Sequence, residues 1–321
     1  PLSSPLTYTR HLIYCCVLNT RGRSTSIRNT TLAPGEDPDP KSVKKIGKQE
    51  RELNMIKLLI VGPNGNMGRA LARAAARTPG IRLVGGVGPK GRDYIGTDLG
   101  LLVGLGKHVG ARVFDDIEHV IDDSDVVLEC TRPTVSTEVL KACLDHQKAF
   151  TTGTTGFSEQ QATRIQHAGD TIPVLHAANG SPIVHLLYRL IHLVSHEVGE
   201  EADIDIVEMH GNTKLDAPSG TAKEIAEIIS ETLGFDLDHV AEYGCRGTGQ
   251  RKSESIQYSS IRSGGTPSTH RVIFGFPNER LELTHYTYNT GAFADGLIKG
   301  ALFIGSKDRG FYTLRDAFED Q

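Results

Sequence analysis

The run Leu58-Leu-Ile-Val-Gly62-Pro-Asn-Gly65-Asn-Met-Gly68-Arg69 constrains this chain more than any other stretch of it. Three glycines at three-residue intervals follow an apolar, strand-like segment and open an Ala-rich helical one. The spacing has a physical reading: the first Gly permits a tight turn, the second lets a pyrophosphate approach the backbone, and the third allows helix and strand to pack closely. Free amides and the helix dipole then favour phosphate. Glycine clusters also occur in ordinary turns, so the strand–turn–helix context is what favours dinucleotide binding. Gly62, Pro63, Asn64, Gly65, Asn66 and Met67 are the candidate phosphate cradle.

Short apolar runs alternate with helix-length stretches from Ile56 onward. Ile56–Val61 precedes Met67–Arg77, and Leu83–Val87 follows. Asp125–Glu129 precedes Val135–Asp145, Ala149–Thr152 precedes Glu159–His167, and Pro173–Ala177 closes the series. This rhythm predicts an α/β fold, a parallel sheet wrapped by right-handed crossovers. After Ser181 the pattern changes. A long helix over Ile183–Val198, a strand over Ile204–His210 and a helix over Gly220–Leu233 lead into three β-rich segments, Ser255–Arg262, Thr269–Phe274 and Arg280–Tyr288. Consecutive antiparallel strands with segregated helices predict a smaller, open α+β sheet. A last helix, Phe293–Ile304, is placed to return to the first sheet.

Charge separates a leader from this body. Residues 1–54 hold nine Lys/Arg and five acids, which leaves the remaining 267 residues with a net charge of −8. An acidic body argues against general affinity for nucleic acid. The first 35 residues lack Asp and Glu and are rich in Arg, Ser and Thr, as transit peptides are. Met55, just before the first strand, equally fits an initiator behind an upstream extension, and both readings stay open. Either way residues 1–54 lack apolar periodicity and read as a disordered leader. No apolar run approaches the roughly 20 residues of a membrane span. Cys15, Cys16, Cys130, Cys143 and Cys245 form neither a disulfide framework nor a CxxC metal site, so a reducing, cytoplasmic setting is expected.

Cofactor choice is read at the end of the second strand, where an acid would bond the ribose hydroxyls of NAD. The sequence there is Val87-Gly88-Pro89-Lys90-Gly91-Arg92. With no acid and two cations, NADPH is favoured over NADH, the alternative being two solvated loop charges.

The densest chemical text is Val207-Glu-Met-His210-Gly-Asn-Thr-Lys214-Leu-Asp-Ala-Pro-Ser219-Gly220-Thr221-Ala222. A strand delivers His210, a loop carries Lys214, and Ser219-Gly220-Thr221 opens a helix whose unpaired amides suit an anion. His210 and Lys214 are candidate proton-transfer groups beside a carboxylate clamp. The plain alternative is a capped polar loop, with Ser219 as its N-cap.

With these residues in view, the chain resembles the 4-hydroxy-tetrahydrodipicolinate reductases, also called dihydrodipicolinate reductases, of lysine biosynthesis. The resemblance rests on Gly62–Arg69, Thr131-Arg-Pro133, Gly153-Thr-Thr-Gly-Phe157, Ala177-Ala-Asn179, Glu208-Met-His210 with Lys214–Thr221, Arg246-Gly-Thr-Gly249, and Arg280-Leu-Glu-Leu-Thr-His285. It implies a Rossmann-type dinucleotide-binding domain over residues 55–180 and 290–321, and a substrate-binding and oligomerisation domain over 181–289. Hinges fall near Asn179–Ser181 and Asn289–Gly291, and the assembly is a homotetramer. It places the cofactor on the glycine loop, on Gly153, Thr154 and Thr155 beside the nicotinamide, and on Ala177, Ala178, Asn179 and Gly180. His210 becomes a proton donor/acceptor and Lys214 the proton donor. Gly211, Ser219, Gly220 and Thr221 become the substrate-binding set, toward a small dicarboxylate imine reduced by hydride from NAD(P)H.

Three positions depart from that pattern. Gly211 stands where the family usually has a second histidine, Thr290 where it has an arginine, and Gly180 where a larger apolar residue is common. A hydroxyl does not replace a bidentate guanidinium. These losses keep a second reading open, a divergent reductase of another cyclic imine or enamine carboxylate. A non-catalytic dinucleotide sensor is the third reading, disfavoured by the retention of His210 and Lys214. His192 and His196 have the i,i+4 spacing of metal ligands, and His185 shares their face. Without a glutamate after the first His or a third ligand they read as a histidine stripe, and no metal is expected. Cys130 reads as a small buried residue rather than a redox thiol.

Overall fold

The computed structural model describes residues 55–319 except Arg246 and Pro267. The readings of residues 1–54 and the matched Arg246 lie outside the described residues. The described residues from Ile56 onward form one compact unit.

Seven parallel strands build the first sheet: β1 (Ile56–Val61), β2 (Ile81–Val87), β3 (Arg112–Phe114), β4 (Val126–Glu129), β5 (Ala149–Thr152), β6 (Pro173–His176) and β12 (Gly310–Thr313). Their spatial order is β12-β6-β5-β4-β1-β2-β3. The period-2 geometry of a strand sends alternate side chains to opposite faces. Leu58 and Ile60 join a core with Leu71, Ala294, Leu297 and Ala301, from helices α1 (Asn66–Arg77) and α8 (Gly291–Ile304). Leu59 and Val61 join a second core with Leu140 and Ile165, from α3 (Pro133–Asp145) and α4 (Glu159–Ala168). Every residue of β4 and β5 is buried, as a parallel strand covered on both faces requires. Helix α8 therefore packs on the first sheet as expected, but it is not the last helix: β12 and a further helix, Leu314–Glu319, follow it.

The second sheet has the order β11-β10-β7-β9-β8. It comprises β7 (Asp203–His210), β8 (Ala241–Tyr243), β9 (Ile256–Arg262), β10 (Ser268–Gly275) and β11 (Arg280–Thr287). The expectation of consecutive antiparallel strands needs correction. β10 runs antiparallel to β7 and β11, but β9 is parallel to β7 and β8 is parallel to β9. The chain leaves β7 through α6 (Gly220–Leu233) and the short α7 (Leu237–Val240) and enters β8, and a second long connection leads on to β9; such crossovers return a strand in the same direction. Val184, Leu187 and Ile191 of α5 (Pro182–Val198) and Ile225 and Ile229 of α6 cover one face of this sheet, against Ile204, Ile206, Val272 and Phe274.

Candidate active site

In the first sheet the strand order reverses direction between β1 and β4. Ligands of open α/β sheets bind outside the carboxyl ends of the strands at such a switch point. The sequence-predicted cofactor residues all follow C-terminal strand ends: Gly62–Met67 after β1, Lys90 and Arg92 after β2, Gly153–Thr155 after β5, and Ala177–Gly180 after β6.

The glycine loop fits a pyrophosphate. Gly62 has φ +75°, and a Cβ on Gly68 would lie 2.0 Å from the Gly62 carbonyl oxygen, so neither position accepts a side chain without distortion. α1 starts without a side-chain cap, which leaves its first-turn amides available to an anion. Arg69 donates to the Asn64 carbonyl at 3.2 Å and to the Leu102 carbonyl, at the end of the short α2 (Leu99–Leu102), at 2.7 Å, holding the loop from behind. Lys90 and Arg92 are exposed, and Lys90 Nζ lies 3.5 Å from Asp116. Cys130 is partly rather than fully buried, and that burial, with the neighbouring Glu129, pushes its thiol up to about 12.

The second sheet brings together a hydrogen-bonded carboxylate–histidine–arginine group. Along β7, Ile204, Ile206 and Glu208 occupy alternate buried positions, so a carboxylate takes a place on the core face. Glu208 is fully buried. His210 Nδ1 lies 2.5 Å from its Oε2, Arg262 from β9 grips both oxygens, and the Ser219 amide donates to Oε1 at 3.2 Å. Burial works to raise the Glu208 carboxyl, but hydrogen bonds from Arg262, Ser260 and His210 outweigh it and hold the group below its ordinary range. An ionised carboxylate only accepts, so His210 carries its proton on Nδ1. Nε2 is then the lone-pair end, accepting from the Ser268 hydroxyl at 2.7 Å. Burial lowers the His210 pKa, with Glu208 opposing that effect.

Lys214 pairs with Asp216 at 2.8 Å, and Arg262 also donates to the Asp216 carbonyl at 2.6 Å, tying the Lys214 loop to the buried carboxylate. Ser219 caps α6, accepting from the Ala222 amide at 3.2 Å, and lies 3.0 Å from His270 Nε2. Gly220 is exposed at the helix start. The Thr221 hydroxyl accepts from Asn179 Nδ2 at 3.0 Å, which joins the end of the first sheet to the predicted substrate helix.

Thus the structure assembles His210, Lys214 and Ser219–Thr221, and links Asn179 to them. Glu208, Arg262, Ser268 and His270 escaped selection as site residues. A signal for Glu208 existed in Asp203-Ile-Asp-Ile-Val-Glu-Met-His210, whose alternation carries the acid onto the apolar face. Arg262, Ser268 and His270 arrive through strand pairing, which local sequence does not display. Glu208, for instance, lies opposite Ser260 on β9 and His270 on β10.

The departures are also placed. A Cβ on Gly211 would sit 3.3 Å from the Gly264 carbonyl oxygen, against the β9–β10 loop. Thr290 stands at the N-cap of α8, but its hydroxyl accepts no capping bond from the first-turn amides. A Cβ on Gly180 would lie 2.4 Å from the Phe293 carbonyl oxygen, and one on Gly296 would lie 1.9 Å from the Gly180 carbonyl oxygen. Gly180 therefore accommodates the close approach of α8. In the histidine stripe, His192 bonds Thr232 at 2.9 Å, His196 meets Glu197 at 3.3 Å, and His185 meets the Asn179 carbonyl at 3.0 Å.

Comparison with known proteins agrees with this architecture. Residues 56–180 match the family model for dihydrodipicolinate reductase, N-terminus, and residues 183–318 match that for dihydrodipicolinate reductase, C-terminus. The chain is 37% identical over 263 residues to a 4-hydroxy-tetrahydrodipicolinate reductase of Hahella chejuensis, covering 82% of this chain and 98% of that one. Among solved structures, a dipicolinate-bound dihydrodipicolinate reductase from Paenisporosarcina sp. TG-14 is similar with TM-score 0.64 and 24% identity, over 82% of this chain and 99% of that one. An amine dehydrogenase from Mycobacterium smegmatis shares the fold with TM-score 0.57 and 14% identity, over 81% and 95% of the two chains. With both halves matched in order and a relative aligned over nearly its full length, the chain belongs to the dihydrodipicolinate reductase family of oxidoreductases.

Proposed function

We propose that this chain reduces 4-hydroxy-tetrahydrodipicolinate to tetrahydrodipicolinate with NADPH, in the diaminopimelate route to lysine. The observation that carries the reading is the Glu208–His210 contact. It fixes a histidine tautomer beside the Lys214 loop and the start of α6. The nicotinamide dinucleotide supplies the hydride when bound. Gly62–Met67 would hold its phosphates, Lys90 and Arg92 its adenosine end, and Gly153–Thr155 with Ala177–Gly180 its nicotinamide end. The amides of Gly220 and Thr221 receive a substrate carboxylate. Lys214 delivers a proton to the carbon beside the reduced centre, and His210 Nε2 accepts and returns protons. The same reading divides the chain into a cofactor domain (55–180 and 290–321) and a substrate domain (181–289). It also makes the enzyme a cytoplasmic homotetramer, a state that light scattering measures.

The test is an optical assay with the unstable substrate generated in situ. NADPH consumption that depends on this substrate supports the reading, and consumption no faster than without it refutes the reading. Replacing Lys90 and Arg92 by Ala should raise KM for NADPH about tenfold while leaving that for NADH within about twofold, since charge-assisted phosphate contacts would be lost.

Gly211 and Thr290 favour a second reading, a reductase of a related cyclic imine carboxylate that lacks one acid group. Gly211→His with Thr290→Arg should then raise kcat/KM on the dicarboxylate, and an unchanged value counts against it.

A further inference from the structure

Glu129, the last residue of β4, is a buried carboxylate outside the proton-transfer group. It is fully buried at the switch point. Its Oε2 accepts from the Thr131 amide at 2.9 Å, the Thr131 hydroxyl at 2.6 Å and the Thr154 hydroxyl at 2.9 Å. Its Oε1 accepts from Ser136 at 2.6 Å and from the Thr152 hydroxyl. The Thr131 amide also reaches the Thr154 hydroxyl at 2.9 Å. One side chain thus joins the loop after β4 to the loop after β5, which faces the nicotinamide in the proposed function. All five donors are neutral, and no ion pair to Glu129 occurs among the described residues. The nearby His176 is pushed down by burial toward its neutral form. Burying a carboxylate without a cation is costly, and a Gln of similar shape would satisfy many of the same bonds.

We propose that Glu129 is a positioning residue for the nicotinamide. It locks residues 131–133 to residues 153–155, and its negative charge behind that loop pair favours the cationic, oxidised ring over the neutral, reduced one. This rests on the proposed placement of the nicotinamide at Gly153–Thr155. A carboxylate there lowers the energy of the positive charge that develops as hydride leaves, while itself exchanging no proton or electron.

The test compares dissociation constants for NADPH and NADP+ by titration calorimetry, and amide deuterium exchange in the ligand-free protein. Glu129→Gln should weaken NADP+ roughly fivefold or more relative to NADPH. Glu129→Asp keeps the charge on a shorter arm. It should leave the NADP+/NADPH ratio near wild type while exchange rises in residues 131–133 and 153–155. Equal weakening of both dinucleotides in the Gln variant overturns the proposal, as does unchanged loop exchange in the Asp variant. If Glu129→Gln does not fold, the Asp variant decides by the same two readouts. A wild-type protein that binds neither dinucleotide overturns the underlying functional reading, a result obtained before any variant is made.

Discussion

Arg262 meets the Glu208 carboxylate with both terminal nitrogens, Nη1 to Oε2 at 2.8 Å and Nη2 to Oε1 at 2.6 Å. Parallel strands β7 and β9 set this fork, which fills the acceptor sites of a carboxylate that also orients His210. Arg262→Met should destabilise the protein by about 3 kcal/mol, because removing one partner strands the other charge in the core. Arg262→Lys should recover only part of that loss, since an ammonium does not reproduce the fork. Chemical denaturation of the three proteins measures both effects.

The Glu208–His210 contact predicts a pH signature. His210 Nε2 acts as a base only when unprotonated, and burial places its pKa below the ordinary histidine value. The acid limb of kcat/KM should therefore fall at lower pH than for a free histidine. Glu208 raises the His210 pKa, so Glu208→Gln should move that limb lower still and reduce kcat about 100-fold by freeing the tautomer. A limb that moves upward would contradict the assignment.

His270 gives a separate pH effect on stability. Burial, reinforced by repulsion from His210, takes its pKa from 6.5 down to about 3. Between those values the unfolded chain binds a proton that the folded protein refuses, so stability falls as pH drops through that window. The contribution is roughly 1.4 kcal/mol per pH unit, or about 2 kcal/mol by pH 5. Denaturation at several pH values should show His270→Gln losing less stability on acidification than wild type.

Gly180 is fixed by the packing of α8. Gly180→Ala puts a methyl group 2.4 Å from the Phe293 carbonyl oxygen, and backbone cannot move aside as a side chain can. The expected cost is about 2 kcal/mol. Because Asn179 next to it bonds Thr221, KM for the substrate should rise together with the loss in melting temperature.

The main elements of both sheets were legible because their apolar patterns are local. Ile56–Val61 and the glycine loop state a strand, a turn and a helix in twelve residues. The second sheet's direction was less legible, since the parallel run of β8 and β9 beside β7 depends on the long connections before each of them rather than on the strands' own residues. β3 and β12 are three- and four-residue edge strands, too short to show a period. Within the site, His210, Lys214 and Ser219 stand close in sequence. Arg262, Ser268 and His270 come from the neighbouring strands and their ends, and acquire meaning only through pairing with β7.

The most direct test of the account is the in situ coupled assay on Lys214→Ala, run beside an NADPH binding measurement. The variant should bind NADPH within about twofold of wild type and turn over at least 100-fold more slowly, because a proton donor is lost while the cofactor cradle is intact. Turnover equal to wild type would contradict the account.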